Sequence, residues 1–233
     1  MYDELFEDIK IKISATNYLS LTTDIWTADT AKISFLSITG HWIDSTKFSQ
    51  ETAVLRVIHF PENHPGVHIK EYLQKGLESF EIPLSKIHLI VTDNASNMKA
   101  AVKISGMTST PCFIHTLQLC IHDSIFRQKT IKEILTLCRG IATHFNHSPI
   151  ACAKLKSIQQ QLSTEPHKMK QNVPTRWKSS FEMLQRTFEQ KVPLATYTAE
   201  FDETKHPTNY QWGIVEKLVY ILAPFENLTI KMW

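Results

Sequence analysis

Two aspartates stand at the ends of strand-like apolar runs, Asp24 in Thr22-Thr23-Asp24-Ile25-Trp26 and Asp93 directly after the run 87–91 and Thr92. Clustered carboxylates bind hard divalent cations through oxygen, and a pair of such cations can flank the attacking and leaving oxygens of an in-line phosphoryl displacement. A strand terminus is a costly place for a lone carboxylate, because burial disfavours the ionised form unless a partner or a metal offsets it. Taken singly, each aspartate reads as a helix cap or turn residue. Taken together, they point to a Mg²⁺ or Mn²⁺ site. Thr23 and Asn94, beside them, are read as structural.

Three further groups of residues bear on chemistry. Cys112-x2-His115 has the spacing of half a zinc site, and Cys120 with His122 offers two more ligands. A helix running on from Cys112 would put Cys120 in a buried stripe and turn His122 elsewhere, so zinc is not expected and His115 is expected close to the carboxylates, bonded to one of them. Arg176 and Trp177 suit DNA, the guanidinium on phosphate and the indole on a base. The same two residues equally suit a structural Trp at a helix start with Arg176 exposed. Lys168, Lys170 and Lys178, with Lys154, Lys156, His167 and Arg176, form a basic run with the composition of a phosphate-binding surface or of a solvated loop.

The elements that must position these groups follow from periodicity. Residues 3–15 have helical spacing, and 19–26, 32–43 and 52–60 are β-branched and aromatic runs separated by polar turns, which predicts an antiparallel meander. A helical pattern over 68–80 then leads to the apolar run 87–91. Strand, helix, strand is a crossover, and a crossover joins parallel strands, so the fourth strand can return beside the first and bring Asp93 to Asp24. A short helix after Asn94 and Ser96 turns Met98, Ala101 and Val102 inward. From Cys112 the pattern is helical, with one stripe through Leu117, Cys120, Ile121 and Ile125 and another from Ile131 to Phe145, ended by Pro149. A third helix holds Leu155, Ile158 and Leu162, the stretch 163–171 reads as the most flexible connection, and two more helices are expected, through 181–188 and 210–222. The fold class is α/β: a mixed sheet over 1–128, then a helical continuation over 129–233.

Composition narrows the class further. With 233 residues and 42% apolar side chains the chain has material for a sizeable core. Its 25 basic and 23 acidic residues leave +2, so any nucleic-acid contact must be local. Four cysteines in the middle of the chain point to a reducing, intracellular setting. No apolar run reaches the ~18–20 residues that span a bilayer, and no membrane partner is expected.

Four motifs then coincide in order: Thr22-Thr23-Asp24-Ile25-Trp26-Thr27, the stretch 91–98, Cys112-Phe113-Ile114-His115-Thr116-Leu117-Gln118-Leu119 and Pro174-Thr175-Arg176-Trp177. This set resembles the catalytic region of hAT-superfamily transposases, in particular the zinc-finger BED-domain-containing proteins derived from them, over residues 18–228. The resemblance implies an RNase H-like fold, DNA as partner, a nuclear location, and Asp24 and Asp93 as the first two of three carboxylates that hold two divalent metals. It implies a position near the active centre for Cys112 and His115. The third ligand, a glutamate, has no match here, and Lys178 stands where the family more often has Asn. No finger of the BED type precedes Asp24, and the chain is expected to stop where the family's helical insertion begins, without its dimerisation segment. Three readings follow: a catalytically incomplete DNA-associated domain, a metal-dependent nuclease in which an internal carboxylate such as Glu182 substitutes, and an interaction module that pairs with its own copy.

Overall fold

The first strand fixes the logic of the sheet. Along Leu19–Ala28 (β1), Leu19, Leu21 and Thr23 are buried while Ser20, Thr22 and Asp24 are not, the period-two alternation of a strand packed on one side. Ile33–Asp44 (β2) and Ser49–His59 (β3) continue it as an antiparallel meander. The β2–β3 turn is held by Asp44, whose Oδ1 accepts from the backbone of Thr46 at 2.8 Å and of Lys47 at 3.1 Å. These bonds and the Thr46 hydroxyl hold its carboxyl down at about 2. Gly66–Glu78 (α2) then crosses to Ile87–Thr92 (β4), which pairs parallel with β1, as crossover length predicts. A three-residue strand, Ser109–Pro111 (β5), completes the order β3-β2-β1-β4-β5. β5 is not legible in the sequence, because two exposed polar residues and a Pro carry no alternation; such a strand is viable only at an edge.

The structure is a computed structural model that describes residues 2–28, 30–61, 65–201 and 203–231. The chain divides into two units, Met1–Thr116 and Leu117–Trp233, and the division falls inside a helix, Phe113–Ile121 (α4), at an earlier residue than the 128 expected from pattern. In the first unit, Tyr2–Ala15 (α1), α2 and Ser96–Ser105 (α3) supply Ile13, Ile69, Leu73, Leu77, Met98, Ala101 and Val102 to a core with Leu19, Leu21, Leu36, Ile38 and Ile90. The side chains of α2 recur at i, i+4 and i+8, one apolar stripe of a helix laid on a sheet. The cap of α3 differs from expectation: Ala95 occupies it without a side-chain bond, while Asp93 Oδ1 accepts from the Ala95 N–H at 3.1 Å.

The second unit is helical: α4, a π-turn His122–Phe126, Lys129–His147 (α5), Pro149–Gln161 (α6), Trp177–Glu189 (α7), Lys191–Phe201 (α8) and Asn209–Lys231 (α9). Pro149 opens α6 at its first turn, capped by Ser148, whose hydroxyl accepts from the Ala151 N–H at 3.1 Å. Among the described residues three helices follow residue 176 where two were expected. Only Gln190 separates α7 from α8, and Pro193 falls in the first turn of α8, where its missing N–H costs nothing. Cys120 is exposed, contrary to the expected stripe, which narrows to Leu117, Ile121 and Ile125 at i, i+4 and i+8.

Two glycines test this packing. A Cβ on Gly66, at the start of α2, would come within 2.8 Å of both the Ala101 amide and the Ala100 Cβ of α3, whereas one on Gly140 in α5 meets nothing within 4 Å. Gly66→Ala should therefore lower stability by about 1–3 kcal/mol through overpacking. Gly140→Ala should raise it by about 0.5–1 kcal/mol, because it removes backbone entropy from the unfolded chain without strain. Urea unfolding of the two variants beside the parent checks both signs.

Candidate functional site

The parallel register answers whether the two aspartates meet. Leu21 pairs with Ile90 and Thr22 with Val91, so Asp24 and Asp93 each lie two residues beyond the same rung and point to the same side of the sheet. Neighbouring strands run about 4.8 Å apart, which puts the carboxylates side by side at the end of the β1–β4 pair. Asp24 Oδ1 accepts from its neighbour Ile25 N–H at 2.9 Å. Thr23 turns inward, its hydroxyl donating to the Ser37 carbonyl at 2.7 Å, a structural role that matches the sequence reading.

The electrostatics fit a strained pair. Burial pushes the Asp24 carboxyl above its ordinary value although its side chain reaches solvent, because protein mass around the strand end thins the water on one side. The Ile25 N–H opposes the rise, the charge of Asp93 adds to it, and His115 again opposes it. His115 thus lies within electrostatic reach of Asp24, but no hydrogen bond joins it to either carboxylate among the described residues, which corrects the expected direct bond.

His115 is carried by the start of α4, and that start is tied to the Asp93 loop. The Cys112 N–H donates to the Thr92 carbonyl at 2.7 Å, extending the β4–β5 ladder by one bond. Asn94 Nδ2 donates to Thr116 Oγ1 at 3.1 Å, and that hydroxyl donates in turn to the Cys112 carbonyl at 2.9 Å. Cys112 therefore acts through its backbone, and Asn94 is a positioning residue for the helix that presents His115.

The two carboxylates supply the hard oxygen donors that Mg²⁺ or Mn²⁺ prefers, and a cation between them would offset both the burial that chiefly raises Asp24 and the smaller contribution of the Asp93 charge. Among the described residues, however, no three or more His, Cys, Asp or Glu side chains gather as a metal would need. Asp24 and Asp93 would hold such an ion, whose chemistry is polarisation of a phosphoryl oxygen and activation of water.

The residues proposed for DNA fare differently. Trp177 is 2% exposed, with its ring 6.4 Å from that of Phe181, so it is a core side chain and cannot stack on a base. Arg176 precedes it, exposed, as the cap position of α7. The turn is clamped by Gln118, a residue of the third motif with no chemistry evident from sequence: its amide donates to the Thr175 carbonyl at 2.7 Å and its oxygen accepts from the Trp177 N–H at 2.8 Å. The third and fourth motifs are thus two halves of one hydrogen-bonded joint.

Four members of the basic run have acidic partners. Lys154 pairs with Glu203 at 2.7 Å, His167 with Glu189 at 2.5 Å, Lys170 with Glu182 at 3.1 Å and Lys178 with Glu226 at 3.9 Å. Lys156, Lys168 and Arg176 remain exposed without an ion pair among the described residues. The connection over 163–171 is pinned, contrary to its expected flexibility. Met169 is buried, Gln159 donates to the His167 carbonyl at 2.9 Å, and Arg186 donates to the Lys168 carbonyl at 2.6 Å.

A meander, a parallel fourth strand and paired strand-end carboxylates define an RNase H-like domain, and comparison with known proteins agrees. The ZBED1 RNase-like domain matches residues 22–110 and the ZBED1 RNase-like helical domain matches residues 110–221. The chain belongs to this hAT-type, transposase-derived family. It is similar to zinc finger BED domain-containing protein 4 of Homo sapiens, 27% identical over 242 residues, and to zinc finger BED domain-containing protein 6 of Homo sapiens, 30% identical over 250. These alignments take in 100% and 98% of this chain but only 20% and 25% of those proteins. It is also similar to the transposable element Hobo transposase of Drosophila melanogaster, 25% identical over 91% of this chain and 30% of that one.

The site yields two predictions. A carboxyl whose pKa is raised by folding binds its proton more tightly in the native state, so stability falls as pH rises from the ordinary value of 3.8 through the raised one. Asp24→Asn should therefore raise the Tm at neutral pH, and the gain should vanish in acid as both forms become neutral. Thermal unfolding across that pH range reads it. Gln118→Ala leaves the Trp177 N–H and the Thr175 carbonyl without their partner and should cost about 1–2 kcal/mol, whereas Arg176→Ala should cost little.

Proposed function

We propose that the chain is a DNA-associated domain of the nucleus in which the transposase sheet and its Asp24–Asp93 pair persist without complete strand-transfer chemistry. The observation that carries this reading is the shared register of the two carboxylates, together with the absence of a third metal-binding partner among the described residues. Two-metal displacement needs ligands enough to flank both oxygens, and two carboxylates fall short of that. Glu182, the internal candidate for a third ligand, is engaged by Lys170 at 3.1 Å. The names of the relatives, BED-type zinc finger proteins and a transposase, support DNA and the nucleus as the setting.

A second reading, a metal-dependent nuclease, is favoured by one observation. Asp24 is pushed up partly by the charge of Asp93, the arrangement that a divalent cation stabilises.

Calorimetric titration of Mn²⁺ into the chain and into Asp93→Asn separates the two, alongside nicking of a supercoiled plasmid. Weak Mn²⁺ binding that Asp93→Asn abolishes, with the plasmid intact, is the expected result. Plasmid nicking abolished by Asp93→Asn would replace the first reading with the second. A fluorescent fusion spread evenly through the cell would remove the nuclear assignment.

A further inference from the structure

The face of the sheet that carries Asp24 also carries a hollow. Ser20 lies four residues before Asp24 on β1, on the same side, and pairs with His41 of β2. At about 3.3 Å per residue, the two ends of this row are about 13 Å apart. Around Ser20 a cavity of about 360 Å³ opens, lined by Tyr18, His41, Ile43, Gln50 and His88 among others. Every one of these residues belongs to the sheet unit.

The lining is built by two irregularities of the sheet. The register of β1 against β4 shifts between Leu19 and Ser20: Leu19 pairs with Ile87 and Ser20 with Leu89, so His88 is an extra, bulged residue without an opposite number. Bulges turn a side chain out of the alternation, and this one contributes an exposed imidazole to the cavity. Tyr18 precedes β1 and is 67% exposed, a large ring beside the opening. His41 is fixed by hydroxyls at both ring nitrogens, Thr22 Oγ1 at 3.0 Å and Thr52 Oγ1 at 3.1 Å. Thr22 in turn stands two residues from Asp24. A hydrogen-bonded row, Thr22–His41–Thr52, therefore runs across three strands beside the hollow.

We infer that this hollow is a subsite for an unpaired nucleobase of a single DNA strand that lies along the sheet face past Asp24 and Asp93. The exposed Tyr18 ring offers the stacking surface that any base can use. Gln50 and His88 offer donor and acceptor atoms to a base edge, as single-strand recognition requires. The volume lies in the range of small-ligand sites. Among the described residues no Lys or Arg lines the cavity, so its contribution comes from stacking and hydrogen bonds and should be nearly independent of salt, unlike a contact to phosphate. This inference deepens the DNA reading above and rests on it for the identity of the ligand, although not on metal at the carboxylates.

The test is fluorescence anisotropy of a short fluorescein-labelled oligodeoxythymidylate with the chain, Tyr18→Ala, Tyr18→Phe and His88→Ala, each checked for folding by circular dichroism. Tyr18→Ala should weaken binding about fivefold to a hundredfold, the range that loss of one stacked base gives. His88→Ala should weaken it less, and Tyr18→Phe should retain it because the ring remains. The ratio of parent to Tyr18→Ala affinity should hold steady across salt, and binding of the matching duplex should be unaffected. Equal affinity of parent and folded Tyr18→Ala overturns the subsite while leaving DNA association intact, as does no binding of the single strand with binding of the duplex. No binding of either nucleic acid overturns both. Tyr18-dependent binding with no uptake of Mn²⁺ sinks only the metal reading.

Discussion

Parallel pairing of β1 with β4 is the constraint on which the site depends. Only that ladder brings together two aspartates separated by most of the sheet unit's sequence, and its register sets them level. A slip of one residue on either strand would turn one carboxylate into the core, where its charge is costly. The register is held by the buried row of Leu19, Leu21, Thr23 and Ile90, which must face α2 for the core to close. Apolar packing on one side of the sheet thus dictates charge proximity on the other.

That proximity has an energetic consequence. Two neighbouring carboxylates at the end of a partly desolvated strand destabilise one another, and the fold tolerates the cost through one backbone N–H for each, Ile25 for Asp24 and Ala95 for Asp93, and through the nearby His115. Strain of this kind is common where a protein keeps a binding centre rather than a structural one. The bulge at His88 and the open hollow beside it lie on the same face, so the departures from regular sheet geometry and from neutral packing fall together.

The helical unit follows a different rule. Its basic residues look like a phosphate surface in one dimension, yet acidic partners from α7, α9 and the segment after α8 answer four of them. Exposed pairs of this sort contribute little to stability, but they cancel much of the local field that would attract nucleic acid. Trp177 and Gln118 serve the interior: one fills the core and the other binds the turn before α7.

By itself the sequence determined the meander, the crossover and hence the adjacency of Asp24 and Asp93, because period-two and period-3.6 patterns and crossover length are local properties. The same local patterns located the helices of the second unit, apart from α8, which follows α7 after a single residue. Tertiary structure decided what depends on neighbours distant in sequence. It exposed Cys120 at the margin of the stripe that Leu117, Ile121 and Ile125 form, since the width of a helix's buried face is set by what the helix packs against. It withdrew Trp177 from DNA, because an aromatic at a helix start can face core or solvent with the same local sequence. It paired Lys170 with Glu182 and Lys178 with Glu226, and it made a cavity from Tyr18, His41 and His88, residues whose types carry no mutual spacing until the sheet brings them together.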